Sequence, residues 1–183
     1  MAMRIAAPAA AILFGLAGCA NNRVAHFAQG SPSMAPPDWM VGTVDGYGIV
    51  VDRFGHIATQ FRAHEVGHWD SARRTLTLVE HITYPQGDGK PQDRIWHFVE
   101  HGKGEWTGTA NDVLGTAHAE QAGNAWHLQF DQMLPVGGSR IAVAVDDWRL
   151  REAGDVAVDY STLSKLGVTL ATAEIAFVKR AKK

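Results

Sequence analysis

From Val41 onward the chain is built of short runs in which apolar and polar residues alternate, each run closed by turn residues. Alternation sends successive side chains to opposite faces of a strand, so every run has one face to bury. The runs are Val41–Asp52, His56–Trp69, Thr75–Tyr84, Arg94–His101, Glu105–Thr109, Gly115–Gln121, Ala125–Leu134, Arg140–Leu150, Val156–Tyr160 and Val168–Lys179, with one helical turn expected over Ser161–Leu166. Leu76, Leu78, Glu80, Ile82 and Tyr84 share one face; so do Trp126, Leu128, Phe130 and Leu134. Gln86-Gly87-Asp88-Gly89, Gly123-Asn124 and Gly137-Gly138 have the composition of hairpin turns. Gly42, Gly46 and Gly48 inside the first run suggest bends or bulges at a barrel corner. A meander of this kind must hide two edges, and closing the sheet does so. The expectation is an all-β fold, a single antiparallel up-and-down (lipocalin-like) β-barrel of about nine or ten strands over residues 39–183, with a sandwich as the alternative.

The N-terminus is of another kind. Arg4 precedes an apolar run from Ile5 to Leu16, and small residues lead into Leu16-Ala17-Gly18-Cys19. The run falls well short of the roughly 20 residues that span a bilayer, but it has the length of an export signal. Leu-Ala-Gly-Cys at its end matches the lipobox of bacterial lipoproteins. That resemblance implies that residues 1–18 are a signal peptide removed on export and that Cys19 is the lipid-attachment residue. The membrane is then a partner through the N-terminal lipid, since each buried methylene contributes about 0.8 kcal/mol. Ala20, where Asp would favour the inner membrane, points to the outer membrane and a domain facing the periplasm. Cys19 is the only cysteine, so no internal disulfide exists. Residues 19–38, with Gly30-Ser31-Pro32-Ser33 and Pro36-Pro37, read as the lipidated N-terminus and a flexible tether.

Without residues 1–18 the chain keeps 165 residues and a net charge of −3, Arg4 being the one charge lost. No basic face suits nucleic acid, which is excluded as a partner. The basic end, Lys179-Arg180 and Lys182-Lys183, reads as a solvated tail.

From about Trp39 to the end, the order of motifs resembles a bacterial lipoprotein family, domain of unknown function family 3833. The resemblance is carried by Gly46-Tyr47-Gly48-Ile49-Val50-Val51-Asp52-Arg53-Phe54-Gly55, Gly67-His68-Trp69-Asp70 and Arg94-Ile95-Trp96. Gly108-Thr109-Ala110-Asn111-Asp112-Val113-Leu114-Gly115-Thr116-Ala117, Gly123-Asn124-Ala125, Leu134-Pro135-Val136 and Asp146-Asp147-Trp148 continue it. It implies architecture and location but no reaction. This chain departs from the family pattern at Arg149, where Met often follows Asp-Asp-Trp, and at Asp159-Tyr160, where Asn-Arg is common.

His64-Glu65-Val66-Gly67-His68 is a literal His-Glu-x-x-His. In zinc proteases a helix brings the two histidines together. Here the segment reads as a strand, on which residues four apart stand about 13 Å from each other. No metal and no cofactor is expected, and no catalytic residue is assigned. The candidate ligand-binding residues are Glu80, Arg94, Trp96, Trp126, Asp147 and Trp148: three tryptophans as apolar wall and Arg94 for an acidic headgroup. Glu80 falls on the apolar face of its strand, where a lone carboxylate is costly, and Arg94 is its nearest partner across the hairpin.

Three functions follow. The first is a non-catalytic envelope lipoprotein that binds a small apolar or acyl ligand. The second is a scaffold with a filled barrel that meets an envelope protein partner. The third is a lipid-directed enzyme with Glu80, Asp112 or Asp147 as acid or base, an outcome expected less than the other two. A pocket above about 300 Å³ favours a ligand. A strongly raised carboxyl in that pocket is the mark of the enzyme.

Overall fold

A computed structural model describes residues 23–86, 89–136 and 138–181. The expected signal peptide over residues 1–18, the expected lipid-attachment residue Cys19, and Ala20, Gly87, Asp88 and Gly137 lie outside the described residues.

Ten strands form the fold: β1 (Gly42–Asp52), β2 (Ile57–Asp70), β3 (Thr75–Thr83), β4 (Gln92–Gly102), β5 (Glu105–Thr109), β6 (Val113–Ala122), β7 (Ala125–Val136), β8 (Ser139–Arg151), β9 (Val156–Lys165) and β10 (Val168–Lys179). Each pairs antiparallel with the next, and β10 returns to pair with β1, closing an up-and-down barrel. The expected barrel is the one observed. The helical turn expected over Ser161–Leu166 is not: β9 runs on through Lys165, and Ser161 pairs with Ala173. Ladder hydrogen bonds and an inward Leu163 extend the strand where serine and lysine blur its pattern.

Gly46 and Gly48 of β1 serve packing rather than bends, whereas Gly42 at its start takes a positive φ of 93° that only glycine adopts freely. A side chain at Gly46 would overlap the Phe177 ring, and one at Gly48 the Phe61 ring, so both leave room for inward aromatics. The register shift of β1 against β2 comes later, between Val50 and Val51.

Before the barrel, a 3₁₀ turn (Val24–Phe27) and a single helical turn, α1 (Pro36–Trp39), use the stretch read as a tether. Pro at the first helical position suits a helix start. Met34 and Trp39 are wholly buried and Met40 nearly so, joining Val44, Leu76 and Trp106 in the main core. The segment is held by a bond from the Met34 N–H to the Gly123 carbonyl and by Lys179 donating to the carbonyls of Asp38 and Trp39. It closes the barrel end that carries the β2–β3, β4–β5 and β6–β7 turns. Above it, an aromatic stack fills the lower interior: Trp69 on Trp106 at 5.7 Å, Trp106 on Trp126 at 5.6 Å and Phe98 on Trp126 at 5.5 Å. The closed sheet, its core and this plug all lie within residues 23–181, a complete folding unit.

Candidate functional site

The barrel register assembles charge inside the fold. Glu65 stands opposite Glu80 across β2 and β3, and Glu80 opposite Arg94 across β3 and β4. On the far wall Asp147 stands opposite Ser161, and Arg149 opposite Asp159, across β8 and β9. All occupy the inward parity of their strands, so pairing alone brings them together.

The contacts then form a continuous band. Arg94 donates to Asp112 through Nε at 3.0 Å and Nη2 at 2.7 Å, and its Nη1 lies 3.6 Å from Glu80. Gln132 donates to Asp112 at 2.9 Å, and the Trp96 indole N–H to Glu80 at 3.1 Å. Arg149 grips Glu65 with both terminal nitrogens, at 3.2 and 3.1 Å, and donates from Nε to Asp159 at 3.1 Å. Its guanidinium lies 3.7 Å from the Phe177 ring centroid. Ser161 shares its hydroxyl between Asp147 and Asp159. In space the order is Asp112, Arg94, Glu80, Glu65, Arg149, Asp159, Asp147.

Five carboxyls face two guanidiniums here, and so many charges cannot all persist away from water. Burial pushes the Glu65 carboxyl up to about 7; Arg149 opposes the shift and the neighbouring Glu80 adds to it. Burial likewise holds Asp159 well above the usual carboxylate range, with Asp147 adding and Arg149 opposing. Burial disfavours both guanidinium cations, yet the surrounding carboxylates hold Arg94 and Arg149 above their ordinary values. Chemically, this is a set of firmly charged arginines beside two buried carboxyls, Glu65 and Asp159, that hold their protons more tightly than an ordinary carboxyl does.

Over the band lies a cavity of about 220 Å³. Phe98 and Trp126 form its floor, Ile82, Phe130 and Ile175 belong to its walls, and half-buried Tyr84, Gln92 and Leu134 mark the end away from the plug. Glu80, Arg94, Asp147, Arg149, Asp159 and Ser161 supply its polar lining.

Of the residues expected from the sequence, Glu80, Arg94, Trp96, Trp126 and Asp147 line this one cavity. Trp148 does not. With Asp147 pointing inward, alternation turns Trp148 outward, where it stacks on His127 at 3.9 Å, meets Phe27 at 5.8 Å and donates to Asp146 at 2.8 Å. Arg94 also cannot take the part of an open anion receptor, because Asp112 occupies its bidentate edge. Glu65, Arg149 and Asp159 complete the band without having been named as ligand-binding candidates. Their signal was parity: each shares the inward face of its strand with apolar residues. Arg149 and Asp159 are partners in the ladder.

The His-Glu-x-x-His segment lies within β2, with Glu65 inward and His64 outward, where His64 hydrogen-bonds to Asp45 at 2.7 Å. Among the described residues, no three metal-ligating side chains converge.

No curated protein matches the chain. A family match covers residues 13–179, nearly its whole length: the chain belongs to the family described as Protein of unknown function (DUF3833).

Proposed function

We propose that this chain is a lipid-anchored protein of the bacterial envelope that binds a small apolar or acyl ligand inside its barrel. The observation that carries the ligand reading is the cavity. At about 220 Å³ it is larger than the engineered cavity of about 150 Å³ that takes up benzene. It falls below the roughly 300 Å³ named above as favouring a ligand, the lower bound for drug-sized molecules, so only a smaller occupant is supported. It suits a short chain, or the end of a longer one. The scaffold alternative calls for a filled interior, and the space above Phe98 and Trp126 speaks against it.

Cys19 supports the anchoring half of the proposal through its lipobox sequence. Three residues lie between Cys19 and Arg23, a reach of at most about 14 Å. Because Val24 and Phe27 pack beside Trp148, lipid on Cys19 would hold this flank of the barrel close to the membrane, in this reading the periplasmic face of the outer membrane. The test is titration of residues 20–183 with an apolar, environment-sensitive dye. The expected result is saturable binding that is lost in Ala173→Leu, which fills the cavity wall, with the far-ultraviolet circular dichroism unchanged. Equal binding by that variant would remove the cavity from the account.

A second reading has one specific observation behind it. Asp159 lines the cavity with its carboxyl raised well above the ordinary range, chiefly by burial, which is the property of a general acid or base. It predicts chemical turnover of the natural ligand that Asp159→Asn abolishes while binding survives.

A further inference from the structure

We infer that the cavity selects a ligand with an amine at its polar end and an apolar chain behind it, and rejects the same chain carrying a carboxylate or phosphate. This rests on the ligand-binding reading above and names the chemistry of that ligand.

Donor and acceptor accounting comes first. An anionic head would need a guanidinium with a free edge. Arg94 gives Nε and Nη2 to Asp112 and turns Nη1 toward Glu80. Arg149 gives both terminal nitrogens to Glu65 and Nε to Asp159, and its face lies on Phe177. Neither arginine can turn to a new anion without stripping a buried carboxylate of its partner, the costly half of breaking a buried pair. What the cavity wall offers instead is acceptors: the carboxyls of Glu80, Asp147 and Asp159 all belong to its lining.

Charge accounting points the same way. The band holds Glu65, Glu80, Asp112, Asp147 and Asp159 against Arg94 and Arg149. Burial raises the carboxyls of Glu65 and Asp159, so each can hold a proton. With both protonated, the band keeps a single unmatched negative charge, and without those protons it is more negative still. One ammonium neutralises it, and one carboxylate doubles it. An ammonium also brings three donors and no acceptor, the complement of a wall made of carboxyl oxygens. The apolar chain would run along Ile82, Phe130 and Ile175 toward the half-buried end at Tyr84 and Leu134.

The experiment compares three probes that share one chain: octylamine, octanol and octanoate. Each is titrated into residues 20–183 near pH 7, read by the fluorescence of Trp96 and Trp126, and competed against the others to establish a common site. Octylamine is expected to bind tightest and octanoate weakest, separated by about tenfold or more, since like charges at a binding site are strongly selected against. Asp147→Asn is expected to bring the amine down to the level of the alcohol. Glu80→Gln serves as a second variant with the same expectation should the first disturb the Ser161 bond. Octanoate or octanol binding as tightly as octylamine overturns the inference while leaving the cavity a ligand site. Absence of binding by all three overturns the ligand reading itself, and this inference with it.

Discussion

Arg149 and Asp159 face each other across the β8–β9 ladder inside the barrel, Nε to carboxylate at 3.1 Å, with only 8% and 4% of their surfaces exposed. Glu65, wholly buried, takes the other edge of the same guanidinium. The three stand or fall together, because removing the cation leaves two buried carboxyls without a counter-ion. Arg149→Met is expected to cost about 3–5 kcal/mol in urea unfolding. The double variant Arg149→Met with Asp159→Asn removes the cation together with one of its two carboxylate partners, and is expected to recover part of that loss. A double variant no more stable than the single one would show that the two positions are not energetically coupled.

Stability should fall as pH rises. The Glu65 carboxyl has a folded-state pKa of about 7 against an ordinary 4.5, so the folded protein holds a proton that the unfolded chain releases. The stabilisation is fully present below about 4.5 and is lost as pH climbs through about 7, and Asp159, also raised, acts in the same direction. Over this window the loss is on the order of 3 kcal/mol. Asp52 and Asp70, held low by the backbone N–H groups of His56 and Arg73, lose their contribution only below the ordinary carboxylate range. Melting temperatures between about pH 5 and pH 8 therefore keep the buried carboxyls apart from Asp52 and Asp70. Glu65→Gln should flatten the profile, and a wild-type Tm that rises over this range would contradict the assignment.

The plug depends on a missing side chain. A methyl at Gly67 would overlap the Met40 carbonyl oxygen, which is backbone and cannot swing away. Gly67→Ala should lift the segment that carries Met34, Trp39 and Met40 out of the barrel end. Limited proteolysis then cuts N-terminal to β1 in the variant and spares the parent. Equal resistance in both would mean that the plug adjusts at little cost.

Anchoring has its own test. In cells fed a clickable fatty acid, the parent chain should take up label and partition into the detergent phase, whereas Cys19→Ser should remain unlabelled and unprocessed. Label retained by Cys19→Ser would place the lipid elsewhere.

The fold was largely legible because alternation survives in all the strands but the second half of β9, even in the five-residue β5. It failed at β9, where Ser161, Thr162, Ser164 and Lys165 carry no apolar contrast although Leu163 keeps its inward place. Pro36-Pro37-Asp38-Trp39 is too short to show a period, so its burial depends on the barrel end that receives it. At the site, Glu80 announced itself by sitting among leucines. Glu65 obeys the same rule, but its place between two histidines drew attention to a motif that a strand cannot form. Trp148 was grouped with Asp147 by sequence adjacency, and adjacency on a strand means opposite faces. That Arg94 is occupied by Asp112 could not be read along the chain, since the two are 18 residues apart and meet only when the β4–β5 pairing lays Asn111 and Asp112 beside β4.

The central claim is that the barrel interior is a ligand site. Native mass spectrometry of the full-length protein, taken from its own envelope in mild detergent, tests it directly. The account predicts an adduct of one small molecule that survives desolvation, disappears in Ala173→Leu and carries an amine when fragmented. A clean apo mass in the parent, or an adduct that Ala173→Leu retains, would contradict it.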